Sequence, residues 1–258
     1  MKWMLLLLLA PVTVLAQKKG KDTTLVYLDE ALEVTSEKNG AFVGVSVKVE
    51  GGWMVYALYP DTTPVMRAYY KDKALKVKEG PYTVYFPKGQ KAKEGFYHDG
   101  KMNGNWRFWH SNGVLKDSGN IVNNHLAGRW KTWYNNGSLM SVTEFDEMPN
   151  LNSLQILQVS ASGLPPYGGM RNGRFTSWYS NGLKESEGLF RDNQMEGDWH
   201  WFHPNGKQST IETYKNGVVN NLQCFDTTGR ATPDLCALEA PAQLKLYGDY
   251  KAFIYENL

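Results

Sequence analysis

Two histidines three residues apart, His200 and His203, lie beside Asp198 and raise the question of a metal site. Imidazole and carboxylate ligands hold zinc when they converge from one side. The stretch around them alternates polar and aromatic residues as a strand does, and strand positions three apart point to opposite faces. No metal and no cofactor are therefore expected. Glu94 and Glu187 offer the carboxylates a hydrolase would use for acid–base work. They occupy the same column of a repeat, which points to pairing with lysines or turn N–H groups rather than with each other. No G-x-S-x-G, H-E-x-x-H, phosphate-binding or dinucleotide-binding pattern occurs. The chain is expected not to be an enzyme.

The remaining chemistry is aromatic. NWRFWHSNG from Asn105 and DWHWFHPNG from Asp198 are two writings of one unit. Aligned one residue before the first aromatic, units start at Pro81, Asn105, Arg129, Arg174 and Asp198, in steps of 24, 24, 45 and 24 residues. The second place reads Tyr82, Trp106, Trp130, Phe175, Trp199, and the fifth reads Tyr85, Trp109, Trp133, Trp178, Phe202. The seventeenth reads Tyr97, Ile121, Phe145, Phe190, Tyr214. Asn-Gly or Lys-Gly closes the first half of each unit, and a second Asn- or Asp-based turn follows in four of the five. Such pairs tolerate the positive φ of a tight hairpin turn, so each unit reads as a β-hairpin. One hairpin cannot bury its own apolar face, and stacking on neighbours does it instead.

Second and fifth places differ by three, so their aromatic ladders should lie on opposite faces of the sheet. The polar third place (Thr83, Arg107, Lys131, Thr176, His200) shares the face of the fifth. Tyr85, Trp109, Trp133, Trp178 and Phe202 are thus the candidate ligand-binding ladder, able to stack on sugar rings or on a protein partner. A bulge or strong twist that packs both ladders is the competing reading.

The organisation follows. Residues 1–16, MKWMLLLLLAPVTVLA, read as a secretory signal, its apolar run too short to span a bilayer. Residues 17–80 form a Tyr-rich β cap with a degenerate leading unit. Residues 81–221 are the repeats, with an insertion at 146–173 that is a second candidate for binding. Residues 222–258 are an appendage in which Tyr250, Phe253, Ile254 and Leu258 mark a short helix. Cys224 and Cys236 could form a disulfide in an exported protein. The net charge of +2, with no basic block, argues against nucleic acid or an anionic membrane surface as partner. No integral membrane segment is expected after signal cleavage.

NGVLKDSGNIVNNHLAGRWKTWYNNG and NGLKESEGLFRDNQMEGDWHWFHPNG resemble the bacterial MORN-variant repeat, of the kind labelled YwqK-family antitoxin. The third unit departs from that pattern, with Thr143 where glycine is usual. The N-terminal part is similar to exported MORN-variant proteins of Bacteroidetes. LEAPAQLKLYGDYKAFIYENL resembles the opening of the periplasmic TonB C-terminal domain. An antitoxin role, implied by the family label, sits badly with a secretory signal. The expected fold is all-β: an elongated meander of stacked antiparallel hairpins with an N-terminal β cap and a short C-terminal helix. The expected function is a non-enzymatic, extracytoplasmic repeat scaffold that binds an envelope protein. The alternative is a glycan or peptidoglycan binder using the fifth-place ladder.

Overall fold

The computed structural model describes residues 22–147 and 169–236. The expected signal, most of the insertion and the TonB-like tail lie outside the described residues. What is described is all-β, sixteen antiparallel strands that follow one another as hairpins, and it divides into two compact units after Val114. That division falls inside the repeats.

The first unit holds β1 (Thr23–Leu28), β2 (Val34–Thr35), β3 (Phe42–Val49), β4 (Gly52–Leu58), β5 (Pro64–Tyr70), β6 (Lys78–Tyr85), β7 (Lys91–His98) and β8 (Lys101–Trp109). From β3 onward each strand pairs with the next, and β1 lies between β3 and β2. The second unit holds β9 (Leu115–Val122), β10 (His125–Trp133), β11 (Leu139–Phe145), β12 (Arg171–Trp178), β13 (Lys184–Arg191), β14 (Gln194–Phe202), β15 (Gln208–Lys215) and β16 (Val218–Cys224), again in chain order. The insertion interrupts the step from β11 to β12 without breaking their pairing, for Val142 and Thr176 remain partners. A single helical turn, α1 (Pro233–Cys236), follows and is disulfide-bonded to β16 through Cys224 and Cys236.

One reversal recurs at one end of the hairpins. At Asp29, Tyr59, Phe86 and His110 in the first unit, and Tyr134, Tyr179, His203 and Asp226 in the second, the amide donates to the carbonyl four residues on. That residue's carbonyl in turn accepts from the amide three residues on. The latter residue takes a left-handed φ each time, from Leu32 at 62° to Gly182 at 84° and Gly229 at 87°. The frame therefore extends before the repeats and past Asn221, where Phe225 to Gly229 writes a further turn. At the opposite end sit two-residue turns with both φ positive, such as Asp99-Gly100 at 46° and 76° and Asp192-Asn193 at 50° and 66°.

Side chains tie successive reversals together. The Tyr134 hydroxyl donates to the Trp178 carbonyl, the Tyr179 hydroxyl to that of Phe202, and Tyr59 in the first unit to that of Tyr85. Asn136, Asn181 and Asn205 place their amides on the carbonyls of Ser180, Pro204 and Thr227. The same asparagines accept from the amide two residues on through Oδ1, so one side chain both closes its own turn and holds the next.

The core is built from the second and seventeenth places. Trp106 and Ile121 are fully enclosed, and Trp199, Tyr214, Tyr82, Trp130, Phe145 and Phe190 nearly so. Phe190 meets Trp199 edge-on with centroids 4.9 Å apart, and Trp199 stacks on Phe175 at 5.6 Å. These tryptophans lie flat across a glycine of the preceding strand. A Cβ on Gly95 would stand 2.2 Å from the Trp106 ring, one on Gly119 2.0 Å from Trp130, and one on Gly188 2.2 Å from Trp199. The third unit's departure is now explained: Thr143 replaces the glycine, and its partner across the ladder is the smaller ring of Phe175.

Candidate functional site

The fifth-place ladder lies half-buried throughout, whereas the second place is enclosed at Tyr82, Trp106, Trp130 and Trp199 and partly buried at Phe175. A register shift comes at Tyr85, Trp133, Trp178 and Phe202, a β-bulge where the strand enters the reversal. The bulge sets the ring at the margin of the open face without turning it into the core. In the second unit β10, β12 and β14 carry Trp133, Trp178 and Phe202 at alternate strands. By the shared reversal Phe225 continues this series at the end of β16, a position the sequence reading missed because its turn reads Thr228-Gly229 and comes 23 residues after its predecessor.

The open face also carries the first and third places, which alternate with the enclosed ones. Across the second unit the third-place row runs Lys131, Val142, Thr176, Glu187, His200, each paired with the next. Beside it lie Arg129 opposite Glu144, and Arg174 opposite Leu189. Two adjoining depressions share Arg174, Thr176 and Glu187. One, of about 360 Å³, runs on to Leu189, Glu196 and Asp198, and the other, of about 370 Å³, to Arg129, Glu144 and Trp178. Trp178 thus lines the same trough as the first- and third-place residues of its own strand.

The carboxylates of this trough are held in place. Glu144 accepts from the Arg174 amide at 2.7 Å, Glu187 from Lys184 Nζ at 2.8 Å, Glu196 from the Asn216 amide at 2.8 Å and Asp198 from the Thr213 hydroxyl at 2.7 Å. In each, a single oxygen makes that bond and the other makes no further hydrogen bond among the described residues. The first unit has a smaller version: Glu94 is paired with Lys91 and with Arg107 at 3.3 Å. Those lysine and arginine charges, with their hydrogen bonds, outweigh partial burial and hold the Glu94 carboxyl below the usual glutamate range. Glu94 and Glu187 therefore both pair with lysine, Lys91 and Lys184, and the same lysines stand over the Trp109 and Phe202 rings at 5.7 Å.

The two histidines do not converge. His200 sits in the open-face row, whereas His203 Nε2 is 3.0 Å from the Phe225 carbonyl at a reversal. Among the described residues no cluster of three or more His, Cys, Asp or Glu could hold a metal ion, and no helix is long and apolar enough to cross a membrane. Cys224 and Cys236 are bonded, their Cα atoms 5.6 Å apart.

No curated protein matches the chain. Two crystal structures align loosely, TcdB2-TccC3-TEV at 13% identity with a TM-score of 0.19 and TcdB2-TccC3-Cdc42 at 14% with 0.15. The alignments cover 78% of this chain and 13% of the much longer chains in those structures, and at such scores they bear on neither fold nor function. The model of the MORN repeat variant matches residues 78–99, 126–147 and 195–216. Each match falls on one hairpin, β6–β7, β10–β11 or β14–β15, and starts at the same phase of the unit, at Lys78, Leu126 and Met195. Family model, turn frame and core columns agree on one unit, and these three stretches match the MORN repeat variant.

Proposed function

We propose that this protein is a non-enzymatic, exported scaffold of the cell envelope whose open repeat face binds an elongated glycan. The observation that carries the reading is the contrast between two aromatic columns. The second place is enclosed at Tyr82, Trp106, Trp130 and Trp199 and makes the core, with Phe175 partly buried against it, while the fifth stays half-buried on a face that also carries fixed carboxylates and arginines. Aromatic rings beside oriented acceptors and donors are the means by which a protein without a deep pocket holds a sugar: stacking for the apolar face of the ring, hydrogen bonds for its hydroxyls. An extracytoplasmic, periplasmic setting supplies both the expected signal and the oxidising conditions in which a Cys224–Cys236 bond persists.

A protein partner is the second reading. It is favoured by charges of both signs across the same face, such as Arg129 opposite Glu144, and by the exposed Leu183 and Leu189. Crosslinking in envelope extract, with mass spectrometry of what the chain retains, separates the two. Recovery of cell-wall fragments, lost in Trp109→Ala and Trp133→Ala variants, is the expected result. Recovery of one abundant protein, lost in the same variants, would replace the glycan by a protein.

A further inference from the structure

The spacing of the ladder specifies more than a sugar. In the second unit the fifth-place rings stand on every second strand, β10, β12 and β14. Two strand spacings amount to about 9.6 Å. The disaccharide repeat of an extended β-1,4-linked pyranose chain is of this length, and its two rings present alternate faces, so each repeat would meet an equivalent ring face. An extended peptide repeats every two residues, about 6.8 Å, and falls out of step at once. A polyproline helix advances about 9.3 Å per turn and stays in step. It lacks N–H donors, however, and the walls of the trough are rich in acceptors. The free oxygens of Glu144, Glu187, Glu196 and Asp198 call for a ligand that donates hydrogen bonds, and Arg129, Arg174 and Thr176 for one that also accepts them. Sugar hydroxyls do both.

We infer that the trough on β10–β14 is a binding site for a single β-1,4-linked polysaccharide chain, one disaccharide per hairpin, with Trp178, which lines the trough, as the central stacking platform, Trp133 and Phe202 at the same place of β10 and β14 as the outer ones, and Arg174 and Glu187 shared between adjoining subsites. This rests on the glycan reading above and adds linkage and register to it. The two depressions share Arg174, Thr176 and Glu187, one reaching β10 and the other β14, as consecutive subsites on one chain would. Neighbouring strands rotate by about 20–25°, so the platforms cannot lie in a common plane. The ligand is therefore a soluble, twisted chain and not a crystalline polysaccharide surface.

The test is a titration of the full chain, by calorimetry and tryptophan fluorescence, with chitohexaose, cellohexaose, maltohexaose and a decaproline peptide. Saturable binding of a β-1,4-linked hexamer is expected, with the corresponding dimer weaker by about tenfold, because it fills one subsite where the hexamer fills several. Trp178→Ala should abolish binding. Arg174→Ala, an exposed side chain whose loss leaves the core intact, should weaken it by about fivefold as a donor is removed from both subsites. Equal binding of maltohexaose, or affinity independent of chain length, would overturn the linkage and register while leaving a glycan platform standing. Binding of decaproline alone, or of none of the four, would overturn the inference and the glycan reading together.

Discussion

The same row of the core face is written in two chemistries. In the first unit it runs Val26, Gly44, Ala57, Met66, Val84 and then Lys93, each strand's residue paired with the next. In the second unit the equivalent row runs Asp117, Thr132, Ser141, Ser177, Ser186. The hydroxyl row is closed on itself: Thr132 donates to Asp117 at 2.8 Å, and Ser177 and Ser186 share a hydrogen bond of 2.8 Å with both residues buried. The aliphatic row carries an amine before it passes to Phe108 on β8, and among the described residues that amine makes no hydrogen bond. Lys93 stands 5.6 Å from the Tyr82 ring centre, near Lys78, which is itself taken up by Glu33. The backbone frame is indifferent to this choice, because the reversals and their hydrogen bonds are identical in both units. Side chains inside the frame are not, and each chemistry sets its own cost.

The largest effect should come where both units share a contact. Gly188 has an ordinary φ, so the cost of a side chain there is steric, and its Cβ would meet the Trp199 ring at 2.2 Å. Gly188→Val is expected to destabilise by about 3 kcal/mol or more, as overpacking in an enclosed core does. The Thr143–Phe175 pair shows how the protein itself relieves the clash. Gly188→Thr combined with Trp199→Phe should therefore cost less than the sum of the two single changes, by thermal or urea unfolding. Strict additivity would mean that the Thr143–Phe175 pairing is incidental.

That contact also marks the limit of what a linear reading reaches. The enclosed columns and the two-residue turns are legible because Trp106, Trp130, Trp199 and pairs such as Asn216-Gly217 recur at fixed steps. The half-exposed state of Trp133 and Trp178 is not, since strand alternation separates the two ladders but cannot say which one a neighbour will cover. The bulges at the fifth place decide that, and they are set by the reversal. The reversals at Asp29 and Tyr59 escaped notice for a related reason. Leu32 and Thr62 take the left-handed φ that glycine takes elsewhere, at 62° and 72°, so the chain carries the conformation without its usual residue. The division after Val114 has no marker in composition at all.

A smaller effect should separate the two rows directly. Ser186→Ala leaves the buried Ser177 hydroxyl without its partner and is expected to cost about 1–2 kcal/mol. Removing both hydroxyls, as Ser177→Ala with Ser186→Ala, turns this part of the row into the aliphatic type found at Ala57 and Val84. The double variant should recover most of the loss in a urea titration. A double variant as unstable as Ser186→Ala would show that the hydroxyl row contributes stability of its own, and that the two chemistries are not interchangeable.

The smallest effect has the opposite sign. Burial, and then the charge of Lys78, hold the Lys93 ammonium below the usual lysine range, with Glu33 opposing them weakly. The folded state therefore releases this proton at a lower pH than the unfolded chain, whose lysines titrate near pH 10.4. Between the lowered folded value and about pH 10.4 the unfolded state binds more protons, so stability rises with pH across that window. Below it the amine is charged in both states and the whole cost of placing that charge in the half-buried site is present. Lys93→Met fills the same space beside Tyr82 without a charge, and should raise stability at pH 7 by about 1 kcal/mol. The gain should shrink as pH rises through the lowered folded value toward about 10.4, because the wild-type amine sheds its proton across that window. A gain that held constant from pH 7 to 10 would trace the improvement to packing instead, and would place the first unit's row on the same footing as the second's.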